Sequence, residues 1–352
     1  MIKLSNIKLP LDTNFSNLNL LCAGAAGIDA EQVHSARLAR RSLDARRKGS
    51  LHYICSFTFC CRDEAAVLKR CPSAAPCVPY SYTPKPLLRD MSRPSPVIAG
   101  FGPAGMFCAL TLARAGLKPI VLERGRAVEQ RVKDVKDFWQ TGRLNTRSNV
   151  QFGEGGAGTF SDGKLTTGIK DPRCRLVLED MVRHGAPEEI LYDAKPHVGT
   201  DRLTDMVKNI REEIIRLGGE VLFEHCLISL GMEQGVLRHV AALSPVGETR
   251  LECDTLVLAL GHSARDTFAM LYETGLPMKQ KPFSVGVRIE HPQGLIDRAQ
   301  YGAYAGRYTL PAADYKLSVH LPEGGCYTFC MCPGGQVVAA ASEEGQVVTN
   351  GM

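Results

Sequence analysis

No stretch of this 352-residue chain comes near the roughly 20 consecutive apolar residues that a membrane-spanning helix needs. The N-terminal MIKLSNIKLPLD lacks the apolar core of a secretory signal. Both absences point to a cytoplasmic protein. The thirteen cysteines lack metal-site spacing: there is no CxxC pair, and Cys60, Cys61, Cys71 and Cys77 do not form one. Scattered through a long chain, they are expected as free thiols in a reducing compartment. Charge of one sign is not concentrated either. The net charge of +5 is spread over the whole length, which argues against nucleic acid as a partner. The densest basic run, RLARRSLDARRKG at 37–49, reads as a solvated strand edge and turn. There is one tryptophan, Trp139, read as helix packing, and there are no internal repeats.

What remains is ordinary globular composition, 44% hydrophobic and 22% charged, in a chain long enough for two or three domains. Residues 1–80 read as a small α+β domain. In LHYICSFTFC, Leu51, Tyr53, Cys55, Phe57 and Phe59 alternate onto one face of a strand. Residues 33–43 are a partner strand, and NLNLLCAGAAG is a short helix closed by glycine. The proline-rich CPSAAPCVPYSYTPKP, 71–86, reads as extended linker, with 81–95 separating two domains. From Pro96 the pattern is βαβ. PVIAG is a short buried strand, PAGMFCALTLARAG a buried helix ending at Gly116, and KPIVLE the next strand. Helices are expected near 127–140, 173–185 and 201–217. GEVLFEHCLISL reads as one strand, VLRHVAAL and TRLECD as meander strands, and TLVLALG as a buried strand ending in glycine.

Gly100, Gly102 and Gly105 fit G-x-G-x-x-G between the first strand and its helix. The first glycine permits the tight turn, the second a close approach to a pyrophosphate, and the third close packing of helix on strand. Pro103 suits the first helical turn, and the helix N-terminus offers free N–H groups and partial positive charge to phosphates. Glu123 ends the second strand, where a carboxylate can accept from both ribose hydroxyls and would repel a 2′-phosphate. The same spacing recurs at Gly153, Gly155 and Gly158, but RSNVQF is a poor strand and TFSDG breaks a helix. That second occurrence is a glycine loop. The third sheet strand is delayed to about residue 220, and a meander precedes the LVLALG strand. This order suits FAD rather than NAD.

Five segments carry a family resemblance: ERG at 123–125, GGAGTFSDGKL at 155–165, DTLVLALGHSARDTF at 254–268, FSVGVRIEHPQ at 283–293, and FCMCPGGQVVAAASEEGQVVTNGM at 329–352. They resemble a poorly characterised family of FAD-dependent dehydrogenases with the glutathione-reductase-type fold. The resemblance implies an α/β chain with a Rossmann-like FAD-binding domain of βαβ start, an interleaved β-rich substrate domain, and the small N-terminal domain. The implied boundaries are 96–170 for the first part of the FAD-binding domain, 171–275 for a helical insertion and its second part, and 276–352 for an incomplete substrate domain. Gly100, Gly102, Pro103, Ala104 and Gly105 would face the FAD pyrophosphate, and Glu123 the ribose with Arg124 beside it. Leu227, just after a strand, would offer backbone to the adenine. Gly261 would let the chain pass close to the cofactor, and the loop with Gly155 and Gly156 would run near the flavin.

The activity implied is that of an oxidoreductase passing hydride through bound FAD, with NAD(P)H as a transient donor and a small-molecule substrate that nothing specifies. Reduction of an isoprenoid-like double bond and a non-catalytic redox or RNA-associated FAD module are the alternatives. Lys164 and Asp162 are the catalytic candidates: a lysine there could stabilise charge on a reduced ring, and a structural contact accounts for it equally well. His262, His291 with Glu290, and the Cys330/Cys332 pair carry weaker arguments. A CxC pair on a strand points to opposite faces, so these two are expected as buried thiols. Residues 333–352 contain no Gly-Asp, the third motif of such flavoproteins. The expectation is therefore a truncated chain that binds FAD weakly.

Overall fold

The computed structural model describes residues 1–352 except Pro84, Leu88, Arg89, Met91, Asp162, Phe329 and Cys330. The chain opens with β1 (Ile2–Leu9), α1 (Leu18–Ala26), β2 (Val33–Asp44), β3 (His52–Cys61), α2 (Glu64–Arg70) and β4 (Ala74–Pro76). All pairings are antiparallel, in the order β2-β3-β1-β4. That is the split βαβ arrangement of ferredoxin-like units. Each helix starts on a capping side chain: Asn17 Oδ1 accepts from Leu20 N at 3.1 Å, and Asp63 Oδ1 from Ala66 N at 2.9 Å. The alternation in β3 works as expected, with Cys55, Phe57 and Phe59 fully buried against Ile2, Leu4, Cys22 and Val67. The basic β2 is the sheet edge. One reading is corrected here. Ala74–Pro76, inside the stretch expected as linker, pairs with Ile2–Leu4 and closes the sheet.

A second, parallel sheet follows, built from β5 (Val97–Ala99), β6 (Ile120–Glu123), β7 (Glu220–Phe223) and β11 (Leu256–Leu258) in the order β11-β5-β6-β7. Helix α3 (Pro103–Arg114) joins β5 to β6, and α4 (Val128–Thr141), α5 (Arg173–Arg183) and α6 (Thr200–Arg216) lie between β6 and β7. Period two divides the strands between two cores. Ile98 and Val121 face α3 and α6, against Met106, Leu110, Ile210 and Ile214. Val97, Ala99 and Leu122 face the other way, against Leu227, Val240 and Ala242 of an antiparallel meander. That meander is β8 (Cys226–Glu233), β9 (Val236–Ser244) and β10 (Gly247–Glu252).

GEVLFEHCLISL is therefore not one strand. It breaks at Glu224, whose φ is +59°. Glu224 N donates to Gly125 O and His225 N to Glu123 O, so the chain crosses the end of β6 and leaves the sheet. The LVL strand is also less buried than its composition suggests. As the outer strand β11 it leaves Leu258 38% exposed. The remainder holds α7 (Arg265–Glu273), α8 (Gln293–Tyr301), and two hairpins, β12 (Ser318–Leu321) with β13 (Gly324–Tyr327) and β14 (Val337–Ala339) with β15 (Thr349–Gly351). Residues 276–292 carry no helix or strand. The β14–β15 hairpin docks through Trp139, whose indole N–H donates to Ala339 O at 2.8 Å, and through Ala340, buried with Val135, Val150 and Phe160. Trp139 is helix packing, as read. No helix among the described residues is long and apolar enough to cross a membrane.

Candidate functional site

A cleft of about 580 Å³ opens where β5, β6 and β11 end. Ligands of open parallel sheets bind outside the carboxyl ends of the strands. The glycine turn forms its floor. Gly100 has a φ of +104°, and a Cβ there would lie 2.3 Å from Ala259 O. At Gly105 an added Cβ would lie 1.9 Å from Gly100 O. Only glycine lets the strand, the turn and the helix meet at these distances. At Gly102 the constraint is lighter: an added Cβ would make ordinary contact with Gly156 Cα, at 3.6 Å. Gly102 is the N-cap of α3 and Pro103 its first residue, so the first-turn N–H groups have no intrahelical acceptor.

Glu123 is 5% exposed at the end of β6. Its carboxylate accepts three backbone N–H groups, from Phe101 at 2.8 Å, Gly125 at 2.8 Å and Gly153 at 3.0 Å. A carboxylate offers about four lone-pair positions, so about one is left for a ligand where the sequence reading asked for two. Glu123 thus pins the glycine turn, its own strand end and the second glycine loop together. Arg124 beside it donates to Asp266 Oδ1 at 2.7 Å and Thr267 Oγ1 at 2.8 Å, with its guanidinium 4.5 Å from the Phe152 ring centroid.

The second loop forms the facing wall. Gly155 N donates to Phe101 O at 2.9 Å, and Gly156 lies against Gly102. Residues 156–160 form a single turn of 3₁₀ helix with no strand before it, in line with the reading of a glycine loop. Gly100, Gly102, Pro103, Ala104, Glu123, Arg124, Gly156, Leu227 and Gly261 all line the cleft, while Gly105 and Gly155 lie behind its surface. Leu227 lies within β8 rather than just after a strand, because β7 ends at Phe223 and β8 begins at Cys226. An added Cβ at Gly261 meets nothing within 4 Å, so glycine there answers to a φ of +68°, and the close approach to the turn is made at Ala259. Lys164 is not part of the cleft lining; it forms a β-bridge with His197. Asp162 and Cys330 lie outside the described residues. His262 and Ser263 do line the cleft, with His262 Nδ1 and Ser263 Oγ 2.7 Å apart.

Sequence reasoning missed what holds the second loop. Arg131 is fully buried and donates to the carbonyls of Asn149, Val150, Gly153 and Glu154. Its guanidinium sits 4.8 Å from the Phe160 ring centroid. Burial lowers its pKa to about 10. Glu154 is also fully buried: Oε2 accepts from Val128 N at 2.8 Å and Arg211 at 2.7 Å, and Oε1 has no hydrogen-bond partner among the described residues. Burial pushes this carboxyl up to about 7. A signal was available. Val128, Arg131 and Val135 share the buried stripe of α4 at i, i+3, i+7, and a charge in such a stripe must be solvated by protein.

The comparisons with known proteins match each end of the chain and the chain as a whole. Residues 1–60 match a family described as a domain of unknown function (DUF8436). An uncharacterized protein of Clostridium beijerinckii is 47% identical over 359 residues, covering 100% of this chain. The chain spans 66% of the length of that relative. Among solved structures, the THI4 protein of Thermovibrio ammonificans is 14% identical, covers 53% of this chain and 64% of its own, and has a TM-score of 0.36. Glycine oxidase of Bacillus cereus is 13% identical over 52% of this chain and 59% of its own, with a TM-score of 0.34. The flavin-dependent monooxygenase PieE, solved with FAD and substrate, is 16% identical over 51% and 32%, with a TM-score of 0.30. At the C-terminal end, residues 282–352 match the family described as FAD-dependent protein, C-terminal domain-like.

Proposed function

We propose that the cleft holds FAD and that the chain is an FAD-dependent oxidoreductase. The observation that carries the reading is the glycine turn at the ends of β5 and β6, lining the cleft without a side chain at Gly102 and faced by a second glycine loop, in a chain whose residues 282–352 match an FAD-dependent family. The residues fit the group. The first-turn N–H groups of α3 suit a pyrophosphate, which needs donors and no side chain in its path. Glu123 keeps about one acceptor position for a ribose hydroxyl. Leu227 and Arg124 border the adenosine end. FAD, when bound, supplies hydride and electron transfer at its ring, with NAD(P)H as the transient donor. The chain's own part is to bind and orient the dinucleotide and to exclude water from it.

The test is direct. The wild-type chain titrated into FAD should quench its fluorescence with saturation, and Gly102→Val should not, while its far-UV circular dichroism stays that of the wild type. The branched side chain would fill the space between Gly102 and Gly156. Equal quenching by both proteins, or none by the wild type, would overturn the reading. The oxidoreductase half is tested by adding NADH or NADPH with a panel of electron acceptors to the FAD-loaded chain. Oxidation of the nicotinamide that depends on both flavin and acceptor supports it.

A further inference from the structure

The segment 192–198 runs between a short 3₁₀ turn (Glu188–Leu191) and α6, forms single β-bridges at Asp193 and His197, and touches three regions in succession. Its first residues lie along the edge strand β2 of the N-terminal unit. Arg41 N donates to Tyr192 O at 2.7 Å, and Ala194 N donates to Arg41 O at 2.9 Å. The Arg41 guanidinium grips Asp193 with two hydrogen bonds, at 2.9 and 3.1 Å, and lies 5.1 Å from the Tyr192 ring centroid and 5.5 Å from that of Phe15. Lys195, next along, pairs with Asp314. The last residues lie along the exit of the second glycine loop: Leu165 N donates to Pro196 O at 2.9 Å, and Val198 N to Gly163 O at 3.0 Å. This last contact is close enough to dictate a residue type, because a Cβ at Gly163 would lie 1.9 Å from Val198 O. Val198 itself is fully buried in the core that α3 and α6 share.

We propose that the N-terminal unit acts as a clamp on the glycine loop: Arg41, as a positioning residue, fixes the strap 192–198, and the strap fixes residues 163–165. The geometry supports transmission. A seven-residue segment bonded through its backbone at both ends has little slack, and a two-pronged arginine–carboxylate contact sets orientation as well as distance. The inference assigns a task to a unit of unknown function. It holds whichever dinucleotide occupies the cleft, so it does not rest on the FAD reading.

The experiment is amide hydrogen exchange on the full chain without added dinucleotide. In Arg41→Ala, the amides of Leu165 and Val198 should exchange about tenfold faster than in the wild type, the equivalent of about 1.4 kcal/mol. The helix amides of α3 should keep their wild-type rates. Reversing the pair, with Arg41→Asp and Asp193→Arg together, should restore most of the protection at Leu165 and Val198, which a general loss of stability would not allow. If Arg41→Ala accelerates exchange throughout, Arg41→Lys is read by the same criterion, since it keeps the charge and loses the two-pronged grip. Wild-type rates at Leu165 and Val198 alongside faster exchange at Ala194 would overturn the proposal, because the two ends of the strap would then be independent.

Discussion

G-x-G-x-x-G occurs twice in this chain, at 100–105 and at 153–158, and the two copies do different work. The first follows a buried parallel strand and opens a helix of twelve residues. Its outer glycines are demanded by contact, with added Cβ atoms falling 2.3 Å and 1.9 Å from backbone oxygens. The second follows a turn and opens a five-residue 3₁₀ turn. There an added Cβ at Gly153 meets the Arg131 side chain at 2.4 Å, one at Gly155 meets Thr159 Oγ1 at 2.0 Å, and one at Gly158 meets nothing within 4 Å. The first copy is shaped by the helix dipole and the sheet, the second by a buried guanidinium that collects four carbonyls. A spacing of glycines states that the backbone must come close to something. The neighbouring residues state what.

The largest effect expected from breaking the contrast is at Arg131. Arg131→Met keeps most of the volume, leaves the buried carbonyls of Asn149 and Val150 without a donor, at about 1–3 kcal/mol each, and takes one of two donors from those of Gly153 and Glu154. Chemical denaturation should show a loss on the order of 5 kcal/mol, and limited proteolysis should cut first between residues 149 and 160. Gly105→Ala comes next. It forces α3 away from Gly100, at a cost of about 3 kcal/mol. Intact stability in that variant would mean that the helix does not sit where it is described.

A smaller effect concerns Glu154, which sharpens the comparison because its counterpart Glu123 is satisfied by three backbone donors. The folded chain holds the Glu154 proton up to about 7, whereas an unfolded glutamate releases it near 4.5. With the folded value raised, the stability that the proton contributes is fully present below about 4.5 and lost as pH rises through about 7. Measured against Glu154→Gln, which cannot titrate, the wild-type melting temperature should decline across that window and level off above it. A flat difference would place the carboxyl in contact with solvent. The smallest effect belongs to Gly158→Ala. Its Cβ enters open space, so stability should stay within about 0.5 kcal/mol of wild type.

These contrasts also show where the sequence could be read and where it could not. The βαβ unit was legible because Val97–Ala99, the three glycines, Pro103 and Glu123 each carry a local requirement at a fixed spacing. The delayed third strand near residue 220 was legible for the same reason. The alternation of Cys55, Phe57 and Phe59 gave the N-terminal sheet its inner face. The break at Glu224 was not legible: an apolar run looks the same whether it stays in one sheet or crosses to another, and the bonds to Gly125 and Glu123 that bend it come from far away in sequence. The three backbone donors on Glu123 escaped for the same reason, since Gly153 reaches it from thirty positions away. The pairing of Ala74–Pro76 with β1 was hidden by prolines that suit an edge strand as well as a linker.

The strand order β11-β5-β6-β7 has a consequence for how the chain is made. During synthesis, β5, α3 and β6 emerge together, so the middle of the sheet and its glycine turn can form at once. Both outer strands come late, β7 after α4–α6 and β11 after the meander. Loop-closure entropy grows slowly with length, about 0.6 kcal/mol per doubling, so the long excursion costs little at equilibrium. In time it costs more, because non-local parallel pairings form slowly. Until β7 and β11 arrive, a two-stranded ribbon with Val97, Ala99 and Leu122 uncovered on one face leaves the ribosome. That nascent ribbon is the species a chaperone would meet.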